Sequence, residues 1–255
     1  MAASPWSDLV LPKEHGSWSL ALEPVALGMI SAPSWAGLAL SVATVAAFFT
    51  RRPLRIGVTE QRAARRLAAR RAAVACGAVV LAGWCGALFG AGTGWWPWLL
   101  PSAAAGAFFL FFDLQQSGRE QHAEIAGATA FAWLPAVFAA LAGWPARSAA
   151  ALGVIMLVRA VPTVLTVRAW LRGRKTGVRR PLLPLAAAVL AAIVGLELAR
   201  SGLAPWIAAV LLVALALRSI ALLLFSPATL RASTLGMIEA GVGAVFVIAV
   251  AFAWR

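Results

Sequence analysis

The 255-residue chain is 62% hydrophobic and 12% charged, which excludes an ordinary water-soluble domain and places it among polytopic membrane proteins. Its formal charge of +13 does not point to nucleic acid, because the basic residues fall in short stretches between apolar runs, where anionic membrane lipid is the nearest partner. The two cysteines, Cys76 and Cys85, share one apolar stretch with no His or Cys at metal-ligand spacing, so they read as buried thiols rather than as a disulfide framework or a zinc site.

The opening MAASPWSDLVLPKEHGSW lacks the basic region, short apolar core and small-residue cleavage site of a secretory signal, in that order. Residues 1–12 are expected to lie loosely at the start of a single transmembrane helical domain, 1–255. Nine apolar runs then approach the length of about 20 residues that crosses a bilayer. They are Ser17 to Ile30, Trp35 to Phe49, Ala72 to Phe89, Trp95 to Phe112, Ala123 to Leu141, Ser148 to Val167, Leu182 to Ala199, Pro205 to Phe225 and Met237 to Ala253. The first two are short. Gly and Pro punctuate the connectors, as in SAPSW, GAGTGWWPW, AGWPARS and SGLAPW, and no soluble domain is inserted. The expected fold is an all-α membrane bundle of about nine transmembrane helices.

Charge sets the expected orientation. With the N-terminus inside, Lys13 and the even-numbered connectors carry 17 of the 22 basic residues, which the positive-inside rule reads as N-in, C-out in a multi-pass protein of the cytoplasmic membrane. The connectors after the second and sixth runs hold most of them, among them Arg51, Arg52, Arg168 and Arg172.

Ionisable groups inside the runs are informative, because a charge in hydrocarbon is costly and either pairs or works. At the start of the first run His15, Ser19 and Glu23 are spaced i, i+4, i+8 and form one polar stripe on a helix, a cavity wall or one side of a structural ion pair with Arg159 or Arg218. In the sixth run Arg159, Thr163 and Thr166 lie at i, i+4 and i+7, followed by Arg168 and Arg172. Pro162 has no N–H to offer the carbonyl of Val158, which is thereby left free beside Arg159. Asp113, Glu120 and Glu124 around the fourth connector are candidates for a hard cation such as Mg²⁺ held by oxygen ligands, or for pairing with nearby arginines. In the last run Glu239 stands between Gly236 and Gly243, small residues that admit a neighbouring helix.

PKEHGSWSLALEPVALGM, RAVPTVLTVRAWLR and TLGMIEAGVG resemble the sequence blocks of the YwiC-like family of bacterial integral membrane proteins. That resemblance implies a bacterial cytoplasmic membrane and carries no reaction with it. In its layout, and in the pattern PKEHGSWSLALEP at the first run, the chain is also distantly similar to UbiA-type intramembrane prenyltransferases. This similarity implies nine spans around a cavity open to the cytoplasm, with an isoprenoid diphosphate as substrate. The UbiA-type Asp-rich Mg²⁺ motifs have no counterpart here: FFTRRPLRIGVTEQRAARR and LTVRAWLRGRK contain Glu60 as their one acid. Arginine stands in that place, and it binds phosphate or carboxylate without a metal.

Two functions are therefore expected. In the first, a cytoplasm-facing cavity holds the anionic head of an isoprenoid or other amphiphile on Lys13, Arg51, Arg52, Arg159, Thr163, Arg168 and Arg172. His15, Glu23 or Glu239 then serves as catalytic acid–base or cation-stabilising group. In the second, the same groups bind and move an anion or a proton as a carrier. Arg159 paired only with Glu23 in a dry, fully packed interior would support neither.

Overall fold

The structure, a computed structural model, describes residues 5–11, 15–118, 120–177, 181–225 and 230–254, with residues 5–7 and 15–17 described for their backbone alone. Among the described residues every regular element is helical. A short helix α1 (Pro5–Val10) precedes α2 (His15–Ser31), α3 (Trp35–Thr59), α4 (Ala63–Ala91), α5 (Leu100–Leu114), α6 (Gln121–Ala132) and α7 (Leu134–Leu141). The chain continues through α8 (Ala146–Thr176), α9 (Leu182–Arg200), α10 (Trp206–Phe225) and α11 (Ala232–Ala253). Among the described residues seven helical stretches are long and apolar enough to cross a membrane: α4, the unit Trp96–Leu114 ending in α5, α6 with α7, α8, α9, α10 and α11. The protein is thus an all-helical, multi-pass membrane protein. In α2 the apolar stretch Trp18–Ser31 is shorter, and α3 carries Arg51, Arg52 and Arg55 on its last turns.

Three expectations change. Pro5–Val10 is helical and rests on α3 and α4, with Leu9 buried. The basic stretches also differ from the connectors they were expected to be. Helix α3 runs on to Thr59, α4 begins at Ala63 and α8 continues to Thr176, so Arg51, Arg52, Arg65, Arg66, Arg168 and Arg172 stand on helices. Hydropathy marks where a run leaves the bilayer, whereas arginine is a good helix former and does not stop the helix. What stops α8 is Gly177, left-handed at φ 71°, whose N–H donates to the carbonyl of Gly173 as a C-terminal cap. Cys76 and Cys85 are free thiols and half-buried, less enclosed than expected.

Small residues set the tightest contacts. In the α3–α4 hairpin a Cβ on Gly83 would sit 2.6 Å from the carbonyl oxygen of Ala39, so only glycine lets these backbones approach so closely. Helices α6 and α7 form one broken crossing. Pro135 falls at the second position of α7, and Trp133 at the joint donates its indole N–H to the carbonyl of Trp98 at 2.9 Å. Helix α8 is central, with over half of its most apolar stretch buried, against about a tenth for the stretch ending in α5. Its inner face packs Leu152, Ile155 and Met156 with Leu27 of α2, Leu212 of α10 and Phe246 and Val250 of α11. Helix α11 packs mainly on α2 and meets its chain neighbour α10 much less.

Candidate functional site

Two tiers of arginine–carboxylate pairs occur in the bundle. The outer tier lies at the end where α3, α5 and α8 finish and α6 begins. Here Asp113 of α5, 1% exposed, accepts from Arg51 Nη2 at 2.9 Å and Nε at 3.1 Å, with Arg55 3.5 Å away. The Arg51 guanidinium also lies 4.6 Å over the ring of Phe109, a favourable face for a cation. Arg168 of α8 pairs with Glu124 of α6. Arg52 donates to the carbonyl of Leu11, tying the N-terminal segment to the same end, and Arg172 is exposed.

The inner tier is set deeper. Glu23 is eight residues into α2, Arg159 nine residues before Arg168 on α8, Arg218 seven residues from the end of α10 and Glu239 seven residues into α11. At 1.5 Å per residue Arg159 lies about 13–14 Å along α8 from Arg168, and the other three lie about 10–12 Å from the ends of their helices. Arg159, 4% exposed, places Nη2 2.9 Å from Oε2 of Glu23, itself 8% exposed. Arg218 makes a two-pronged contact with Glu239, Nη1 lying 2.9 Å from Oε2 and Nη2 meeting Oε1. The second pair is the more exposed of the two, its Arg218 side chain 23% exposed. Gly243 joins the pairs, since a Cβ there would overlap both the Glu23 carboxylate and Arg159 Nη2. The glycine one turn after Glu239 is therefore the reason α11 approaches the Glu23–Arg159 pair. Gly236 has open space where its Cβ would be and contributes no such contact.

A polar track connects the tiers. Thr163 Oγ1 donates to the carbonyl of Arg159 at 2.8 Å, Thr166 Oγ1 donates to Ser219 Oγ of α10 at 3.2 Å, and Arg168 follows. Alongside Arg159, a small cavity with room for about one water molecule is lined by Val158, Arg159, Pro162, Thr163 and Ser219 and by apolar side chains of α9 and α10. The Arg159–Glu23 pair therefore forms, but with a second ion pair on one side and a polar cavity on another.

The expected site residues separate accordingly. Glu23, Glu239, Arg159 and Thr163 come together with Arg218 in the inner tier. Arg51 and Arg168 are engaged by carboxylates at the outer tier, Arg52 by a carbonyl, and Arg172 faces outward. Lys13 lies outside the described residues and so does the side chain of His15. Asp113, Glu120 and Glu124 do not converge. Asp113 is held by Arg51 and Arg55, Glu124 by Arg168, and Glu120 lies 3.3 Å from His122. Among the described residues no three His, Cys, Asp or Glu side chains gather in a group that could hold a metal ion.

Apolar helices crossing a bilayer around buried, balanced ion pairs define an integral membrane protein with an ionisable interior. A family model described as YwiC-like protein matches residues 11–138. The chain belongs to the YwiC-like family. No curated protein and no solved structure matches it, so these comparisons show no similarity to UbiA-type prenyltransferases. Glu23, Arg51, Asp113 and Glu124 fall within the matched segment, whereas Arg159, Arg168, Arg218 and Glu239 follow it.

Proposed function

We propose that the protein is a membrane carrier that binds an anion at Arg159 and Arg218 together with a proton. The observation that carries this reading is the inner quartet, two arginines and two glutamates brought by α2, α8, α10 and α11. Its formal charge sums to zero. An anion added alone would leave an uncompensated negative charge in a low-dielectric interior, which is strongly unfavourable. An anion arriving with a proton keeps the balance, with the proton taken by Glu23 and the anion replacing its carboxylate at Arg159. The polar track from Arg168 supplies the approach, and orientation by the positive-inside rule makes that end cytoplasmic.

The test is uptake into proteoliposomes of small carboxylates and inorganic phosphate, with external pH recorded alongside. Anion entry with matching external alkalinisation is expected. It should disappear both in Glu23→Gln and in the charge-balanced double variant Glu23→Gln/Arg159→Gln. Uptake without proton movement, or full flux in the double variant, would refute the carrier.

A second reading, an amphiphile-binding protein of prenyltransferase-like kind, is favoured by the partly exposed Arg218–Glu239 pair, which stands where α10 and α11 make little contact. A lipid head could enter there from the membrane with its tail among the apolar helices. It is less favoured because Arg51 and Arg168, the mouth arginines that such a head would use, already hold carboxylates. Saturable binding of isoprenoid diphosphate, or pyrophosphate release with or without Mg²⁺, would decide for it.

A further inference from the structure

We infer that the cavity beside Arg159 is a binding site for one water molecule, which anchors the back of the Arg159 guanidinium. Nε of Arg159 is buried and has no protein hydrogen-bond partner among the described residues, while Nη2 faces Glu23. A buried guanidinium N–H left unpaired is costly. The cavity lining supplies acceptors. Val158 lines it, and Pro162, four residues on, has no N–H for the Val158 carbonyl. The hydroxyl protons of Thr163 and Ser219 are directed to the carbonyls of Arg159 and Leu215, at 2.8 and 3.0 Å, so what these oxygens offer the cavity is lone pairs.

One unpartnered donor and several acceptors among the residues that line the cavity suit water and disfavour an anion. A water accepts from Arg159 Nε and donates to the Val158 carbonyl and to Thr163 Oγ1, completing about three hydrogen bonds in a space that holds about one molecule. A halide or carboxylate would meet one donor and the repulsion of the rest. The site is thus built by Pro162: the residue that removes a helical hydrogen bond creates the acceptor that holds the water. With Nε fixed from behind, Nη2 is held against Glu23. The same water joins the inner quartet to Thr163 on the track toward Arg168, whatever the quartet carries.

The test is a density map of the full-length protein in lipid nanodiscs, at a resolution that shows ordered solvent, for the unmodified chain, Thr163→Val and Thr163→Ser. A single peak within hydrogen-bonding distance of Arg159 Nε is expected in the unmodified chain and in Thr163→Ser, and its loss or marked weakening in Thr163→Val, which keeps the shape and removes the acceptor. No peak, a peak shaped as a polyatomic group, or a peak unchanged in Thr163→Val would overturn the assignment. If Thr163→Val does not fold, Pro162→Ala replaces it. The restored N–H then occupies the Val158 carbonyl, and the peak should weaken or move, whereas an unchanged peak again overturns the site. Absence of anion flux in proteoliposomes would leave this water untouched, so failure of the carrier reading and failure of the water site are told apart.

Discussion

The outer and inner tiers use the same chemistry at different depths. At the outer tier Arg168 and Glu124 have side chains 20% and 34% exposed, so water supports each charge if its partner is lost. At the inner tier Arg159 and Glu23 have side chains 3% and 8% exposed, and each depends on the other. Exposed pairs contribute little to stability, whereas removing one member of a buried pair strands the remaining charge. An Arg–Glu contact in this bundle therefore derives its importance from depth and not from its bond length.

The largest break in that comparison is expected from Glu23→Gln. Arginine does not lose its proton in proteins, so Arg159 would be left as a buried cation, at a cost of about 3–5 kcal/mol. Thermal unfolding in detergent should show a marked fall in midpoint, and the double variant Glu23→Gln/Arg159→Gln should recover most of it. If the single variant is as stable as the parent, the inner tier is not an interdependent pair. Next in size is Gly243→Ala. Its added methyl would enter the Glu23–Arg159 contact, and displacing packed groups in this way costs about 1–3 kcal/mol. Gly236→Ala, with open space at its Cβ, is the matched control and should hold or slightly raise the midpoint, because alanine is the better helix former. Equal effects at the two glycines would show that helix propensity, not contact with the quartet, determines the result.

Asp113, in the outer tier, combines a buried acid with exposed bases and sharpens the contrast. Its carboxylate is buried, yet Arg51 is 30% and Arg55 42% exposed at the side chain. Asp113→Asn would lose charge-assisted hydrogen bonds worth about 1.5–3 kcal/mol, but the released arginines reach water. The fall in midpoint should lie below that for Glu23→Gln, and an equal fall would mean that α3 and α5 are held together largely through this one carboxylate.

Much of this was legible in the chain. Glu23, Arg159 and Glu239 stand out because a charge inside an apolar run needs a reason, and the stripe Arg159, Thr163, Thr166 follows from helical spacing. The freed carbonyl of Val158 follows from Pro162 alone. Partners were harder to read. Asp113 and Arg51 are 62 residues apart in sequence, and their pairing depends on how α5 lies against α3, which periodicity within either helix does not encode. That α3, α4 and α8 remain helical beyond their apolar runs was hidden for a different reason: hydropathy measures the fit to lipid, while the end of a helix is set by residues such as Gly177. Gly243 was legible as a close-approach point, but the charged atoms it admits come from two other helices.

The smallest effect is expected at Glu197 and Arg200, the i, i+3 pair near the end of α9, 2.8 Å apart with side chains 63% and 64% exposed. Glu197→Gln leaves Arg200 in water or at a lipid head group, so the midpoint should move by no more than the equivalent of about 0.5 kcal/mol, and by less still at high salt. This pair is shorter than the Arg51–Asp113 and Arg159–Glu23 contacts, which makes it a direct test of whether depth or distance ranks the pairs. If Glu197→Gln destabilised the protein as much as Asp113→Asn, distance would be the better guide and the division into two tiers would fail. A negligible effect, set beside a large one at Glu23, isolates burial as the variable that makes the inner charges interdependent.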